Sequence, residues 1–255
     1  MEKLTLIKIG GKILEEEATL DQLLVDFSKI DGYKVLVHGG GRMATSLATQ
    51  LGVESKIVDG RRITDAETLK IVTMVYAGWI NKHVVARLQA MNINAIGLTG
   101  ADMNIIRSEK RPVSDIDYGF VGDVKNVKAD FLAMLLKQNI VPVLSPLTHD
   151  KQGSLLNTNA DTIAAEVAKA LAKLFNVSLV FCFEKSGVLM DEEKDASVIP
   201  EIDRKSFQRY KGEGIIQGGM IPKLENAFQA IDAGVKEVII TKASAILENK
   251  GTLIK

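Results

Sequence analysis

The 255-residue chain has a single cysteine, Cys182, and no excess of either charge. One cysteine excludes a disulfide framework, so we expect a reducing compartment such as the cytoplasm. Lysine plus arginine amount to 32 residues and aspartate plus glutamate also to 32, which argues against a polyanion as the main partner. We therefore expect small-molecule ligands and no nucleic acid.

The sequence also lacks a long apolar run. No stretch approaches the roughly 20 apolar residues of a membrane-spanning helix. The first residues, MEKLTLIKIGG, are too short and too charged for a signal peptide, so we expect no membrane association. Repeats, low-complexity runs and flexible linkers are absent, and the softest boundary falls at 148–154.

Apolar segments typical of strands alternate with segments of helical periodicity from one end of the chain to the other. The segments 4–9, 35–37 and 177–183 are typical of buried strands, and one long helix is predicted from about Asp65 to Met91. This alternation predicts an α/β fold, a three-layer sandwich with a mainly parallel central sheet between helices. Two lobes that share one continuous sheet fit the pattern better than two independent domains.

Glycine-rich turns accompany these segments. Gly10 and Gly11 follow the first strand, Gly39–Gly41 follow the second, and Gly218-Gly219 precede a late helix. A strand that passes through glycines into a helix exposes backbone N–H groups and the positive end of the helix dipole. Because glycine has no Cβ, an anion can approach the backbone closely. The second turn therefore predicts a site for phosphate or carboxylate.

Two lysines and a polar group complete the pattern. Lys8 comes one residue before the end of the first strand, and Lys223 follows the last glycine pair. Lysine is rarely buried without a partner, so these ammonium groups should reach a wet cleft or an anion. Asn157 and Asp161 stand where another helix begins. If all converge at the carboxyl ends of the strands, the crevice suits phosphoryl transfer.

The glycine run also permits a different interpretation. Gly39–Ala44 satisfies the pattern GxGxxG/A of dinucleotide sites, and Asp59, at the turn of a predicted hairpin over 55–64, lies where a ribose-binding acid is expected. That pattern normally follows the first strand, however, and it leaves the lysines unexplained. A Walker P-loop, GxxxxGK[ST], is absent. Phosphotransferase and nicotinamide-dependent dehydrogenase both stay open on these grounds.

Seven short motifs follow one another along the chain: KIGG, HGGG, GRRIT, LLNTNAD, SGVL, GGMIPK and GTLI. Together they resemble the amino acid kinase family, in particular its acetylglutamate kinase branch, over essentially the whole chain. The resemblance implies the amino acid kinase fold and ATP-dependent phosphorylation, with Mg²⁺, of the γ-carboxylate of an N-acyl-L-glutamate in arginine biosynthesis. N-acetyl-L-glutamate is favoured. N-succinyl-L-glutamate, another phosphotransferase of the family and a non-catalytic amino-acid sensor are alternatives.

The resemblance also implies roles for ten residues. Three would act on the transferring phosphoryl group: Lys8, Lys223 and Asp161. Four would bind the acylglutamate: Gly40, Gly41, Arg62 and Asn157. Three would border the nucleotide: Gly11, Gly187 and Gly219. No residue is expected to ligate a metal directly.

Further expectations concern the lobes and the assembly. Within a single domain of residues 1–255, residues 1–150 would bind the acylglutamate and residues 151–255 the ATP. A homodimer paired through the long helix is expected. Relatives that respond to arginine carry an extra helix before the first strand, whereas only Met1–Lys3 precede it here, so we expect no strong arginine inhibition.

Two segments affect substrate detail. Glu184-Lys185 stands where relatives commonly have an Asp-Val pair, close to the expected nucleotide site. A succinyl group would bring a second carboxylate and require a further cation, for which Arg61, Lys56 and Arg107 are candidates.

Overall fold

The structure, a computed structural model, describes residues 1–58, 60–248 and 250–255. Its strands, in chain order, are β1 (Lys3–Ile9), β2 (Tyr33–His38), β3 (Ile57–Val58), β4 (Arg61–Arg62), β5 (Ala95–Leu98), β6 (Ile106–Lys110), β7 (Gly122–Val127), β8 (Val141–Leu144), β9 (Leu147–His149), β10 (Leu155–Asn157), β11 (Asn176–Phe183), β12 (Glu201–Ile202), β13 (Glu237–Lys242) and β14 (Thr252–Ile254). Its α-helices are α1 (Gly11–Glu15), α2 (Glu17–Ser28), α3 (Gly41–Gln50), α4 (Ala66–Thr73), α5 (Asn81–Ala90), α6 (Ala129–Lys137), α7 (Ala160–Leu171), α8 (Arg204–Gly212) and α9 (Met220–Asp232).

The central sheet has the strand order β12-β14-β13-β11-β1-β2-β8-β5. Its strands from β13 to β5 pair in parallel, whereas β14 runs antiparallel to β13. The parallel strands therefore all end at one edge of the sheet, where ligands bind in open α/β folds. This confirms the predicted α/β class with a mainly parallel sheet.

Side chains along β1 point alternately to the two faces of the central sheet. Leu4 and Leu6 point into a core shared with α6, α7 and α9, while Ile7 and Ile9 point into a second core shared with α2. Successive side chains of a strand face opposite sides of the sheet, so Lys8 lies on the same side as Leu6. The sheet therefore lies between two helical layers, and Lys8 faces the layer that contains α7 and α9.

A smaller sheet with the order β10-β9-β6-β7 and the hairpin of β3 with β4 flank this edge. The predicted hairpin over 55–64 is confirmed in its pairing, with Ile57 opposite Arg62; Asp59, at its predicted turn, lies outside the described residues. The antiparallel pair of β9 and β10 encloses the 148–154 segment. These short elements bring Arg62 and Asn157 toward the carboxyl ends of the central strands.

The predicted long helix is confirmed, with one difference. Asp65 caps it by accepting a 2.8 Å hydrogen bond from the amide of Thr68. Between α4 and α5, however, Met74–Ile80 form a π-helical segment, in which each turn holds more residues than in an α-helix. The apolar periodicity of the sequence predicts a helix there and does not distinguish its type.

Nearer the N-terminus, α1 and α2 are separate helices, because Glu16 adopts an extended conformation between them. Among the described residues, no helix is both long and apolar enough to cross a membrane.

Candidate active site

Two lysines and one aspartate meet at the carboxyl end of the central sheet. Lys8 comes from the end of β1, Asp161 from the first turn of α7 and Lys223 from the first turn of α9. The Nζ of Lys8 lies 2.7 Å from Oδ1 of Asp161, and the Nζ of Lys223 lies 2.9 Å from Oδ2. The structure therefore brings the three predicted catalytic residues into one cluster, which we call the lysine–aspartate centre.

Neighbouring side chains hold this centre in place. Asn159 caps α7 by accepting hydrogen bonds from the amides of Asp161 and Thr162, at 2.8 and 3.1 Å. The ammonium group of Lys223 lies 5.2 Å from the ring centre of Phe181 and 5.6 Å from that of Phe183. Such cation–π contacts stabilise a desolvated charge, so the two rings favour the ammonium form of Lys223.

The centre carries one net positive charge, because two ammonium groups face one carboxylate. Burial alone would raise the pKa of Asp161, but the charges of Lys8 and Lys223 outweigh it and hold that pKa well below its usual range. Burial lowers the pKa of Lys223, and the carboxylate of Asp161 opposes that shift. Asp161 is therefore ionised at neutral pH, and the uncompensated charge favours an anionic ligand.

Two glycine turns face each other beside the centre. Gly40 has a φ of 149° and leads into α3, whose first turn has no side-chain cap. A Cβ on Gly40 would lie 2.4 Å from Cδ1 of Ile80, so only glycine fits. A Cβ on Gly11 would lie 3.9 Å from the amide nitrogens of both Gly40 and Gly41. The start of α3 and the start of α1 thus share one opening, as the sequence predicts for an anion site.

Arg62 lies deeper in the same opening and is only 8% exposed. Its Nη2 donates to the carbonyl oxygen of Gly41 at 2.9 Å and to Oγ1 of Thr45 at 2.7 Å, and its Nη1 donates to Oγ of Ser55 at 2.7 Å. All three acceptors are uncharged. No carboxylate of the described residues lies within ion-pair distance of this guanidinium. A buried cation without an acidic partner is typical of a site for an anionic ligand.

These groups line one cleft of about 360 Å³. Of the predicted residues, the structure places the following in its lining: Lys8, Gly11, Gly40, Gly41, Arg62, Asn157 and Asp161. Asn157 is 8% exposed and donates from Nδ2 to Oγ1 of Thr64 at 3.0 Å. Lys223 joins this set through its contact with Asp161.

The structure places the other two predicted residues, Gly187 and Gly219, outside this lining. Gly187 is buried, and a Cβ there would lie 2.8 Å from both Oγ1 of Thr252 and Cγ1 of Val198, so close packing already requires a glycine. Gly219 immediately precedes α9, with open space where a Cβ would stand. Glu184 lies 3.8 Å from Arg42, which is part of the cleft lining.

The lining also contains residues outside the ten to which the resemblance assigns roles. Tyr76 and Arg61 belong to it, together with Thr45, Ile57 and Thr158. The sequence places Tyr76 in an apolar helix, where an aromatic residue is ordinarily part of the core; in the structure it lies in the π-helical segment and lines the cleft. Arg61 is one of the three candidate cations for a succinyl group.

The competing dinucleotide interpretation finds less support in the fold. The glycine run follows β2, and β1 already ends in its own glycine turn beside it.

His38 is the last residue of β2 and is fully buried. Its Nδ1 donates to the carbonyl oxygen of Gly39 at 2.8 Å, and its Nε2 lies 3.2 Å from Nδ2 of Asn81. Burial lowers the pKa of His38 to about 4, so it is a neutral, packed residue.

Comparisons with known proteins agree with this geometry. The family model described as "Amino acid kinase family" matches residues 3–242. The acetylglutamate kinase of Parabacteroides distasonis is 73% identical, with all of both chains covered, and that of Phocaeicola vulgatus is 71% identical over 100% of this chain and 99% of the relative. The solved structure of smu.665 from Streptococcus mutans has a TM-score of 0.82 at 28% identity, covering 99% of this chain and 98% of that one.

Proposed function

The chain belongs to the amino acid kinase family, and from that premise we propose that it transfers the γ-phosphoryl group of ATP to the γ-carboxylate of N-acetyl-L-glutamate, in arginine biosynthesis. One observation carries this proposal. A single cleft has the lysine–aspartate centre at one end and Arg62, without an acidic partner among the described residues, at the other. An N-acylglutamate has two carboxylates, one to receive the phosphoryl group and one to be held.

In this reaction a γ-carboxylate oxygen attacks the γ-phosphorus of ATP. The new O–P bond forms while the bond from that phosphorus to the β,γ-bridging oxygen breaks, which gives an acyl phosphate and ADP. Negative charge spreads over the transferring oxygens, and the ammonium groups of Lys8 and Lys223 supply the opposite charge. Because the attacking carboxylate is ionised at neutral pH, no general base is needed.

Asp161 acts through the lysines. Its Oδ2 accepts a hydrogen bond from Lys223 and its Oδ1 forms an ion pair with Lys8, so the carboxylate positions both lysines and favours their charged forms. The amide nitrogens of Gly40 and Gly41 lie 3.9 Å from the point where a Cβ on Gly11 would be, so the N–H groups of these glycines would add donors for phosphoryl oxygens. Catalysis then consists of positioning and charge stabilisation.

Arg62 and Asn157 hold the α-carboxylate. Arg62 uses three of its five N–H groups on Gly41, Thr45 and Ser55, and the hydroxyl group of Tyr76 lies beside the same guanidinium. Its bond to the carbonyl of Gly41 ties the carboxylate-binding end to the glycine turn. A substrate held there has a fixed distance to the phosphoryl end.

ATP is assigned to the C-lobe side, residues 151–255, where Gly187 and Gly219 border it together with Gly11. In support, the cleft that contains Arg62 is lined mostly by residues of 1–150, the lobe assigned to the acylglutamate. Residues 151–255 contribute 157–161 to this lining.

Mg²⁺ fits as a partner of the ATP phosphates. The described residues hold no cluster of three His, Cys, Asp or Glu side chains suited to a metal, and both oxygens of Asp161 face lysines. Phosphate and water oxygens, which Mg²⁺ prefers, would supply its ligands.

N-succinyl-L-glutamate is a second candidate substrate, favoured by Arg61. This half-buried residue lines the cleft, and no carboxylate of the described residues lies within ion-pair distance of it. Of the other two candidate cations, Lys56 pairs with Glu54 at 3.5 Å, and Arg107 is not part of the lining. A succinyl carboxylate would give Arg61 a partner.

We further propose a cytoplasmic homodimer. On the long helix, Met74 and Trp79 are 52% and 60% exposed, and Trp79 stacks on His83 with ring centres 5.0 Å apart. Exposed apolar side chains grouped on one helix are typical of a contact between copies of a chain. Light scattering of the wild type and of Trp79→Ser would test the pairing, with a dimer expected for the first and a monomer for the second.

The activity itself is tested by trapping the acyl phosphate with hydroxylamine. The protein, Mg²⁺-ATP and N-acetyl-L-glutamate should yield a hydroxamate, and omission of either substrate should abolish it. Comparison with N-succinyl-L-glutamate ranks the two candidate acyl groups. ADP formation without hydroxamate, or tight binding of a nicotinamide cofactor without ATP turnover, would overturn the proposal.

A further inference from the structure

The π-helical segment at Met74–Ile80 brings one aromatic side chain into the cleft wall. Within it, Val75, Tyr76 and Ile80 are buried, while Met74 and Trp79 stay exposed. A π-helical turn departs from the hydrogen-bond pattern of a regular α-helix, and such turns occur frequently at functional sites. Here the irregular turn lies directly behind the glycine turn of the cleft.

Tyr76 and Ile80 form the surface on which Gly40 rests. A Cβ on Gly40 would lie 2.9 Å from Cδ1 of Tyr76 and 2.4 Å from Cδ1 of Ile80. The backbone of Gly40 is therefore pressed against both side chains, and its left-handed φ of 149° is enclosed by them. The ring of Tyr76 is fixed by this contact, which aligns its hydroxyl group.

That hydroxyl group lies at the carboxylate-binding end of the cleft. It stands 4.0 Å from the point where a Cβ on Gly41 would be, and Nη2 of Arg62 stands 3.9 Å from the same point. Burial raises the pKa of Tyr76, and the neighbouring Arg62 cation opposes that shift. The phenol is thus protonated at neutral pH, with an O–H group to donate beside the guanidinium.

We propose that Tyr76 is a further substrate-binding residue, whose hydroxyl group donates a hydrogen bond to the same α-carboxylate that Arg62 holds. This inference rests on the proposed function and extends it. A guanidinium supplies charge, while a phenol fixed by the π-helical segment supplies a directed donor from another side. Two donors from different elements define the orientation of the carboxylate better than one.

The test is Tyr76→Phe, which removes the hydroxyl group and keeps the ring against Gly40. We expect KM for the acylglutamate to rise about tenfold, the size of one hydrogen bond to a charged group, with kcat within about twofold. Tyr33→Phe is the matched control, because the Tyr33 hydroxyl contacts exposed Glu2 at 3.4 Å and is outside the cleft lining. Its KM should stay at the wild-type value.

A substrate analogue identifies the group that Tyr76 contacts. In 4-acetamidobutyrate a hydrogen atom replaces the α-carboxylate, so no acceptor for the Tyr76 hydroxyl group remains there, and its inhibition constant should be the same for wild type and Tyr76→Phe within about twofold. An unchanged KM for N-acetylglutamate in Tyr76→Phe would overturn the inference, and so would an equal loss of affinity for substrate and analogue. Absence of hydroxamate with the wild-type enzyme would instead contradict the proposed function.

Discussion

The two ends of the cleft treat charge in opposite ways. At the lysine–aspartate centre, each oxygen of Asp161 faces an ammonium group, at 2.7 and 2.9 Å. At the other end, Arg62 donates only to uncharged oxygens of Gly41, Thr45 and Ser55. The first end is paired before any ligand arrives, so its charges are positioned in advance. The second retains a cation for the charge that the substrate brings.

This difference separates two roles that a kinetic experiment can resolve. Groups that act on charge developing in the transition state affect kcat, whereas groups that hold the ground-state carboxylate affect KM. Damage to the lysine–aspartate centre should therefore appear in kcat, and damage around Arg62 should appear in KM. The substitutions below test that division, beginning with the largest expected effect.

Lys8→Ala and Lys223→Ala should each lower kcat by roughly 10²-fold or more, the scale of losing one transition-state charge donor. Each change also leaves Asp161 with one ammonium partner in place of two. Steady-state hydroxamate formation gives kcat and KM for both substrates. Lys211→Ala is the control, since that lysine pairs with Glu225 at 3.4 Å on the surface, and its kcat should stay within about twofold. A loss confined to KM in either cleft variant would contradict the assignment.

Asp161→Asn should lower kcat by about 10²-fold, because two ammonium groups then repel each other without a carboxylate between them. The remaining Lys223 loses the group that opposes the lowering of its pKa by burial. The alkaline limb of the kcat profile should therefore move to lower pH. A profile with an unchanged alkaline limb would show that Asp161 does not set the lysine charges.

The pH dependence of the free energy of unfolding gives a second test of Asp161. The folded-state pKa of Asp161 is lowered relative to the unfolded chain, so its stabilising effect is present above about pH 4 and disappears as the pH falls further. Asp161→Asn should therefore be less stable than wild type at neutral pH, by about 3 kcal/mol for a broken buried pair. The difference in the free energy of unfolding between the two proteins should be smaller at pH 3 than at pH 7, as measured by urea unfolding.

The sequence predicted the lysine–aspartate centre better than the other end. Lys8, Asp161 and Lys223 each stand beside a strong local signal, a strand end, a capped helix start or a glycine pair, and parallel strands force those signals to one edge. The start of the long helix was equally accessible, because Asp65 is a typical capping residue.

The rest depends on contacts between distant segments. Tyr76 lines the cleft from the π-helical segment Met74–Ile80, and the apolar periodicity of the sequence predicts neither that segment nor this position. Gly187 shows the opposite difficulty. The resemblance assigns it to the nucleotide site, although close packing against Thr252 and Val198 is by itself a sufficient reason for a glycine there.

Arg62→Ala should raise KM for the acylglutamate by about 30-fold, the lower range for removing one partner of a buried, hydrogen-bonded charge pair. Its effect on kcat should be smaller, because the lysine–aspartate centre stays intact. Arg62→Lys keeps the charge and loses the planar fork, so an intermediate KM is expected. Arg204→Ala, at an exposed pair with Asp232, is the control and should leave KM unchanged. Unaltered KM in Arg62→Ala would contradict the carboxylate assignment.

The smallest effect is expected for Arg61, the cation that distinguishes the two candidate acyl groups. It is half-buried, and burial together with the charge of Arg111 lowers its pKa, while Asp123, already paired with Arg111, opposes that shift. A succinyl carboxylate would meet this charge, whereas an acetyl methyl group would not. Arg61→Ala should therefore lower kcat/KM for N-succinyl-L-glutamate by about fivefold, the scale of a partly exposed ion pair, and leave N-acetyl-L-glutamate within about twofold. The ratio of the two kcat/KM values is the decisive quantity, because any general damage to the cleft cancels in it. An unchanged ratio would remove Arg61 from the acyl pocket and, with it, the structural reason to favour a succinyl substrate.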